Sequence, residues 1–146
     1  MVLAPGTPEA EVIGRFGRPA EVYPLDAPPQ ARRLAYPTGS LNQQTWMVDV
    51  DAQGRVLRVT EVISAEHFGR IRIDRDDMTA VRREFGPPYE IRLYRLSGLT
   101  AWNYPYLENG VWNSEMSVYF DRSGIVRRLE SGPDPRFVGG RDGKGD

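Results

Sequence analysis

A six-residue pattern, Phe-Gly-x-Pro-x-Glu, occurs twice in this chain and constrains its fold more than any other feature. The first copy lies in RFGRPAEVYPL, residues 15–25, and the second in REFGPPYEIRLY, residues 83–94. Internal self-similarity of this kind indicates that a structural unit is repeated, and it has to be settled before any single motif is interpreted. We therefore expect two related units within the 146 residues.

The first copy of the pattern predicts the end of a helix. Thr7 is a candidate N-cap, and Pro8 is favoured at the first helical position. The apolar residues that follow are spaced for one helical face: Ala10, Val12, Ile13 and Phe16. Gly17 then predicts a left-handed cap that ends the helix, with Pro19 just beyond it.

The second copy predicts the same kind of helix end. Asp76 or Asp77 is a candidate cap for this helix. Its apolar stripe consists of Met78, Val81 and Phe85. Gly86, followed by Pro87 and Pro88, predicts the end of the helix. Each copy of the pattern is therefore interpreted as a helix stop that leads into a strand.

Four strands are predicted after each helix. In the first unit they fall in residues 20–25, 31–37 and 44–62, and in the second unit in residues 89–96, 99–106 and 114–131. The last range of each unit holds two strands joined by a turn with Asp first and Gly last, Asp51–Gly54 and Asp121–Gly124. On the second strands, Ala35-Tyr36 is aligned with Ala101-Trp102.

These elements predict an α+β fold of two tandem helix-plus-antiparallel-meander units, with the helices packed on one face of the sheet. The predicted units are residues 3–62 and 63–132, and a short helix at 64–71 opens the second unit. Residues 133–146 are rich in Gly, Pro and charge, which predicts a flexible tail. The pattern is compatible with two sheets side by side and with one larger sheet.

Charge and cysteine content exclude several classes of function. The formal net charge is −1 and the basic residues are dispersed, so we expect no nucleic-acid partner. The absence of cysteine excludes disulfides, a thiol nucleophile and thiolate metal sites. No apolar run approaches the roughly 20 residues of a membrane-spanning helix.

The helix stop, the aromatic second strand and the Asp-x-x-Gly hairpin together resemble the SmpA/OmlA (BamE-like) family of outer-membrane lipoproteins. In the first unit the matching residues are Gly6, Glu11, Val12, Phe16, Gly17, Pro19, Asp51 and Gly54. In the second unit they are Val81, Phe85, Gly86, Pro88, Trp102, Tyr104, Asp121 and Gly124. The resemblance covers residues 3–132 in two copies, and it implies a fold similar to that of the β-lactamase inhibitory protein.

The sequence departs from the family pattern at three points. The family's Gly-Met-Thr start is Gly6-Thr7-Pro8 in the first copy and Arg75-Asp76-Asp77 in the second. Tyr36 stands where the family has the Trp of the second strand. The lipid-bearing cysteine does not occur in this sequence, and the resemblance implies that it lies upstream of Met1. Because the matched residues are mostly turns and core positions, they bear on the fold more than on function.

Residues that could carry chemistry are few. His67 is the single histidine, and a general base needs partners around it, so we interpret it as structural. Zinc needs several Cys or His ligands. The carboxylates Asp74, Asp76 and Asp77 lack the loop pattern of a calcium site, and acidic residues at a helix start are explained by capping and the helix dipole. We expect a protein that is not an enzyme and has no metal or cofactor.

Aromatic side chains give the candidate binding residues. Trp102, Tyr104 and Tyr106 alternate along one strand and should share a face, and Tyr119 should point away from the helix-side core. Aromatic residues with a polar group are enriched in protein-binding surfaces, although cross-strand pairing that stabilises the sheet is the preferred explanation. The full candidate set is Tyr94, Trp102, Tyr104, Tyr106, Trp112 and Tyr119. If Trp102 and Tyr104 face the core, the binding face reduces to Tyr94, Trp112 and Tyr119.

The resemblance implies a non-enzymatic protein-binding module in the periplasm, anchored to the outer membrane through a lipid. Its role would be accessory or scaffolding, in envelope integrity or in β-barrel protein assembly, with outer-membrane assembly components as partners. The alternative is an inhibitor of a secreted or periplasmic hydrolase, built on the same architecture. A sensor of cell-wall fragments or other small ligands is a third interpretation, and an enzyme comes last.

Overall fold

The computed structural model describes residues 1–142, which form eight strands and four short helices. The helices are α1 (Glu9–Phe16), α2 (Ala65–Phe68), α3 (Met78–Phe85) and α4 (Pro135–Asp142). The strands are β1 (Glu21–Pro24), β2 (Arg32–Thr38), β3 (Gln44–Val50), β4 (Val56–Glu61), β5 (Glu90–Tyr94), β6 (Leu99–Glu108), β7 (Trp112–Phe120) and β8 (Val126–Pro133). None of these helices has the length and apolar character that crossing a membrane requires.

The strands form two separate antiparallel sheets, each in chain order. The first sheet is β1-β2-β3-β4 and the second is β5-β6-β7-β8. This confirms an α+β fold, with more strand than helix, and answers the question of one sheet or two. Each predicted strand range coincides with the strand or strands that were expected there, to within two residues at either end.

The two helix starts differ from each other. Asp77 caps α3 as predicted, because its Oδ1 accepts a hydrogen bond of 2.8 Å from the backbone N–H of Ala80. The prediction that Thr7 caps α1 is wrong. Thr7 donates its hydroxyl hydrogen to the carbonyl of Ala4, and Pro8 occupies the cap position without a side-chain hydrogen bond.

The glycine of each repeated pattern adopts a backbone conformation suited to glycine. Gly17 has φ 82° and ψ −173°, and Gly86 has φ 83° and ψ −172°. Positive φ with extended ψ is essentially restricted to glycine. The helices therefore end in this extended conformation rather than in the left-handed helical cap that was predicted, and the chain passes directly toward the next strand.

In each sheet, a tyrosine on the second strand hydrogen-bonds to the glycine at the end of the preceding helix. The hydroxyl of Tyr36 donates to the carbonyl of Gly17, and the hydroxyl of Tyr104 donates to the carbonyl of Gly86. The donor–acceptor distance is 2.9 Å in each case. Tyr36 therefore corresponds to Tyr104, and the alignment of Tyr36 with Trp102 is wrong.

Strand pairing gives the same corrected alignment. Glu21 of β1 pairs with Ala35, and Glu90 of β5 pairs with Asn103, so each tyrosine directly follows the partner of the glutamate. The dipeptide Tyr-Pro occurs at both places in the sequence and would have indicated this alignment. In each sheet the proline lies past the end of the pairing with the first strand, where no backbone N–H is needed on that side.

The first sheet and α1 enclose one apolar cluster. Val12 is fully buried there. Its neighbours in the cluster are Leu34, Tyr36, Val48, Val50 and Val56. These sheet residues alternate with others that face the opposite way, as a strand requires.

The second apolar cluster joins parts of both sheets. It contains Phe68 of α2, Val81 and Phe85 of α3, and the inward-facing residues of the second sheet. Ala35 and Met47 of the first sheet belong to it as well. The prediction that helices pack on one face of the sheet is therefore too simple, because α3 contacts both sheets and the first sheet is covered on both faces.

Charged side chains fix α3 against the first sheet. Arg33 donates to both carboxylate oxygens of Asp49, over 2.7 and 3.0 Å, and also to the carbonyl of Arg83 near the end of α3. Arg82 of α3 donates to both carboxylate oxygens of Glu21. Bidentate pairs of this kind impose geometry as well as attraction.

The segment predicted as a tail, residues 133–146, contains α4 in its first part. Its residues 143–146 lie outside the described residues. Asp134, which precedes α4, is fully buried and accepts hydrogen bonds from the side chain of Arg136.

The two glycines of the repeated pattern provide a matched test of the α3 contact. A Cβ atom at position 17 would meet nothing within 4 Å, whereas one at position 86 would lie 3.2 Å from Cγ2 of Thr45. Gly17→Ala should lower the free energy of unfolding by about 1–3 kcal/mol through backbone strain alone. Gly86→Ala should lower it by about 1 kcal/mol more, because the methyl group also presses on the first sheet.

Urea denaturation of both variants measures the difference. Equal losses of stability would contradict the close contact between the end of α3 and the first sheet.

Candidate functional site

Three of the six candidate aromatic residues lie in the core. Trp102, Tyr104 and Tyr106 are 4%, 2% and 1% exposed. Val118 and Met116, the cross-strand partners of Trp102 and Tyr104, belong to the same buried cluster. The alternation along β6 does place the three on one face as predicted, but that face contacts α2 and α3. Because these three side chains are buried, the prediction that they form part of a binding surface is wrong.

Tyr119 lies on the opposite face of the second sheet, as predicted, yet little of it is accessible. It is 8% exposed, and the guanidinium of Arg128 lies 4.2 Å from its ring centroid. Its hydroxyl donates to Glu130, and burial together with this bond raises the pKa of Tyr119. Tyr94, with its ring centroid 6.1 Å away, is the more exposed of the pair.

Trp112 lies at the far end of the β6–β7 hairpin and is 65% exposed. It is seven residues from Tyr119 along β7, so strand alternation directs the two side chains to opposite faces. Tyr94, Trp112 and Tyr119 therefore do not form one binding face.

The structure adds exposed apolar residues in this hairpin and in the β2–β3 loop that the sequence analysis missed. We call Leu41, Leu107, Val111 and Trp112 the tip patch. All four side chains are at least 40% exposed, and Val111 reaches 64%. Leu41 and Leu107 line the same hollow of about 250 Å³. A sequence signal was present, because Asn109-Gly110, both at positive φ, is the preferred turn of a tight hairpin.

Contacts between the two sheets hold the tip patch in place. Gln43 of the β2–β3 loop donates to the side-chain oxygen of Asn113 over 2.7 Å. Arg136 donates to the carbonyl of Leu41 over 2.7 Å and is itself fixed by Asp134. The patch thus combines loops from both sheets in a defined arrangement.

A polar groove of about 330 Å³ crosses the outer face of the second sheet. Asn103 donates to Glu90, and its own oxygen accepts from Ser117 over 2.7 Å. Arg92 also donates to Glu90. The polar side chains that line the groove thus bind mainly to one another, and few of them are free to bind a ligand.

Glu115 differs from these groove residues because its environment disfavours its charged form. Burial, together with the negative charges of Asp134 and Glu90, raises the pKa of Glu115 above its ordinary value. The residue opposite it on β8 is Gly132, where a side chain would meet nothing within 4 Å.

His67 has a structural environment, which agrees with its interpretation from the sequence. Its Nε2 lies 3.1 Å from a carboxylate oxygen of Glu84, and its ring packs edge-on against Phe85. The hydrogen bond to His67 lowers the pKa of Glu84.

The acidic residues before α3 have separate structural partners. Asp76 binds the backbone and side chain of Arg72, and Asp74 pairs with Arg127. Across residues 1–142, no three carboxylate or imidazole side chains converge in a way that could hold a metal ion.

Comparison with known proteins gives a distant structural likeness. No protein-family model and no curated protein matches the sequence. A solved structure, that of a DUF4309 family protein (YjgB) from Bacillus subtilis, is similar over 87% of this chain and 78% of its own, with 8% identity and a TM-score of 0.38. A likeness at this level assigns neither family nor function.

The placement of the two tryptophans predicts effects on stability that differ greatly in size. Trp112→Ala should change the free energy of unfolding by no more than about 0.5 kcal/mol, because the side chain is exposed. Trp102→Ala should lower it by about 3–5 kcal/mol, since it leaves a large cavity against Val118 and Phe120. Urea denaturation distinguishes the two, and a large loss in Trp112→Ala would show that the tip is packed.

The position of Glu115 predicts a pH-dependent effect of replacing it. Because folding raises the pKa of Glu115, its ionisation costs stability, and that cost appears as pH rises through the folded-state pKa. Glu115→Gln should therefore be more stable than the wild type at neutral pH. The advantage should vanish at a pH below the ordinary glutamate range, where both side chains are neutral. Denaturation curves at the two pH values test this, and a pH-independent difference would contradict it.

Proposed function

We propose that this protein is a non-enzymatic protein-binding module that contacts its partner through the tip patch. The observation that carries the proposal is the exposure of Trp112 next to Val111, in a hairpin that a hydrogen bond from the β2–β3 loop holds in place. Clustered exposed apolar residues mark interaction sites, and tryptophan is enriched among the residues that dominate binding energy.

The fixed geometry of the patch favours binding. The bonds from Gln43 to Asn113 and from Arg136 to Leu41 order the two loops before a partner arrives. An ordered patch loses less side-chain and loop entropy on association than a flexible one.

Local features common to the two sheets support the finer proposal of tandem SmpA/OmlA-like units with a fold similar to the β-lactamase inhibitory protein. At the end of α1 and of α3, a tyrosine hydroxyl donates a hydrogen bond to the carbonyl of the terminal glycine. Both last hairpins have a register shift one residue before the Asp-x-x-Gly turn. In both turns the Oδ1 of the aspartate accepts two backbone N–H groups.

On this basis we propose an accessory or scaffolding role in the bacterial envelope. The protein would be the periplasmic part of an outer-membrane lipoprotein, with components of β-barrel assembly as partners and a lipid anchor upstream of Met1. The resemblance of the repeated motifs to the SmpA/OmlA family is the support for location and partner, and the tip patch supports the binding mode.

A crosslinked pull-down tests the binding mode and the partner together. The tagged protein is expressed in its own cells and recovered from detergent-solubilised envelopes. Wild type should recover barrel-assembly components, and Trp112→Ala should lose most of them, because truncation of a central aromatic residue commonly costs more than about 2 kcal/mol of binding.

The control is Ile73→Ala, which alters an exposed apolar residue outside the tip patch and should bind as wild type does. Recovery of a soluble hydrolase, with inhibition of that enzyme by the purified protein, would replace the scaffolding role with that of an inhibitor. Recovery that is equal for wild type and Trp112→Ala would refute the tip patch as the binding site.

A further inference from the structure

Of the four edge strands in residues 1–142, β5 has the most exposed large apolar side chains. On β5, Ile91 and Leu93 are 52% and 67% exposed. Proteins usually protect such edges with charges, proline or irregular backbone. Among the other edges, β1 ends at Pro24 and exposes only Val22, while β4 and β8 have no exposed large apolar side chain.

The side chains of β5 alternate between two kinds of surface. Ile91 and Leu93 lie on one face of the strand, and Glu90 and Arg92 lie on the other. In an antiparallel ladder, alternate residues direct their backbone N–H and C=O groups to opposite sides. About half of the backbone groups of β5 therefore point away from β6, toward an open edge.

We propose that β5 pairs with β5 of a second copy of this chain, antiparallel, about a two-fold axis at Ile91. This register places Ile91 opposite Ile91 of the second copy, on the apolar face. On the polar face it places Glu90 opposite Arg92 of the second copy, and the symmetry repeats that pair. The strand is thus complementary to itself in both apolar contact and charge.

The neighbouring registers are less favourable. An axis at Arg92 places the two copies of Arg92 directly opposite each other, and like charges in that position are destabilising. An axis at Leu93 places Ile91 opposite Arg95 of the second copy and leaves Glu90 without a cationic neighbour. Opposite charges directly across an antiparallel pair stabilise it, so the register centred on Ile91 is selected.

The proposed dimer leaves the tip patch free. Ile91 pairs with Trp102 on β6, and Leu107 lies five residues further along that strand. At the usual rise per residue this separates the two surfaces by about 17 Å. Self-association and partner binding therefore use different parts of the second sheet.

Charge reversal across the register tests the proposal by sedimentation equilibrium. The wild type should show a concentration-dependent equilibrium between monomer and dimer. Arg92→Glu places two carboxylates opposite each other twice, and should raise the dimer dissociation constant about tenfold or more. Glu90→Arg should do the same with four arginines. An equimolar mixture of the two variants should form heterodimers, because every opposed pair is then one acid and one base.

Apolar variants supply the matched control. Leu93→Lys should abolish the dimer, whereas Val111→Lys, at a site of almost equal exposure, should leave it unchanged. Glu90→Arg also removes the acceptor of Asn103, so its fold is checked by circular dichroism. If that variant fails to fold, the contrast between Arg92→Glu, Leu93→Lys and Val111→Lys decides the question.

Two outcomes would overturn the proposal. One is a wild type that stays monomeric at every concentration, and the other is a dimer that Arg92→Glu and Leu93→Lys leave intact. The Leu93→Lys variant should still recover partners in the envelope pull-down, so failure of the dimer is distinguishable from failure of the proposed function.

Discussion

The position of α3 between two sheets determines the rest of the architecture, and two arginines maintain it. Arg82 binds Glu21 of the first sheet and lies 5.1 Å from the ring of Trp102 in the second. Arg33 reaches in the other direction, from the first sheet to the carbonyl of Arg83. Arginine suits this place because its planar group can bind a carboxylate with two bonds while its face covers an aromatic ring. One short helix thereby becomes the shared element of both halves.

The two sheets differ in polarity at the equivalent positions that face α3 in the first sheet. On the first sheet the row Glu21, Ala35, Met47 and Thr60 is turned toward α3 and its centre is apolar. The equivalent row of the second sheet is Glu90, Asn103, Ser117 and Glu130, which is polar throughout. In proteins built from stacked repeats, terminal units need a polar outer face because no further unit covers them. The groove on the second sheet has the polar character of such a terminal face, and its Glu90, Asn103 and Ser117 side chains are linked by hydrogen bonds.

The sequence allowed the helix ends, the strands and the turns to be predicted because glycine, proline and aspartate act locally. Gly17, Gly86 and Asp77 do what their backbone chemistry requires. Alternation also placed Trp102, Tyr104 and Tyr106 on one face, but it carries no information about which face is buried. That choice depends on α3, whose contacts with the sheets are long-range. The same applies to the tip patch, since the bond from Gln43 to Asn113 joins residues that are 70 positions apart.

The grouping of exposed apolar side chains, and not their number, indicates where this protein associates. Single exposed apolar residues are normal on any protein surface. On this chain, however, Ile91 and Leu93 occupy one face of one edge strand, and Trp112, Val111 and Leu107 occupy one hairpin tip. Both groups belong to the second sheet, whose outer face is polar and whose inner face is filled by α2 and α3. The β5 edge and the hairpin tip are therefore places where this sheet leaves apolar area exposed, and association would bury it.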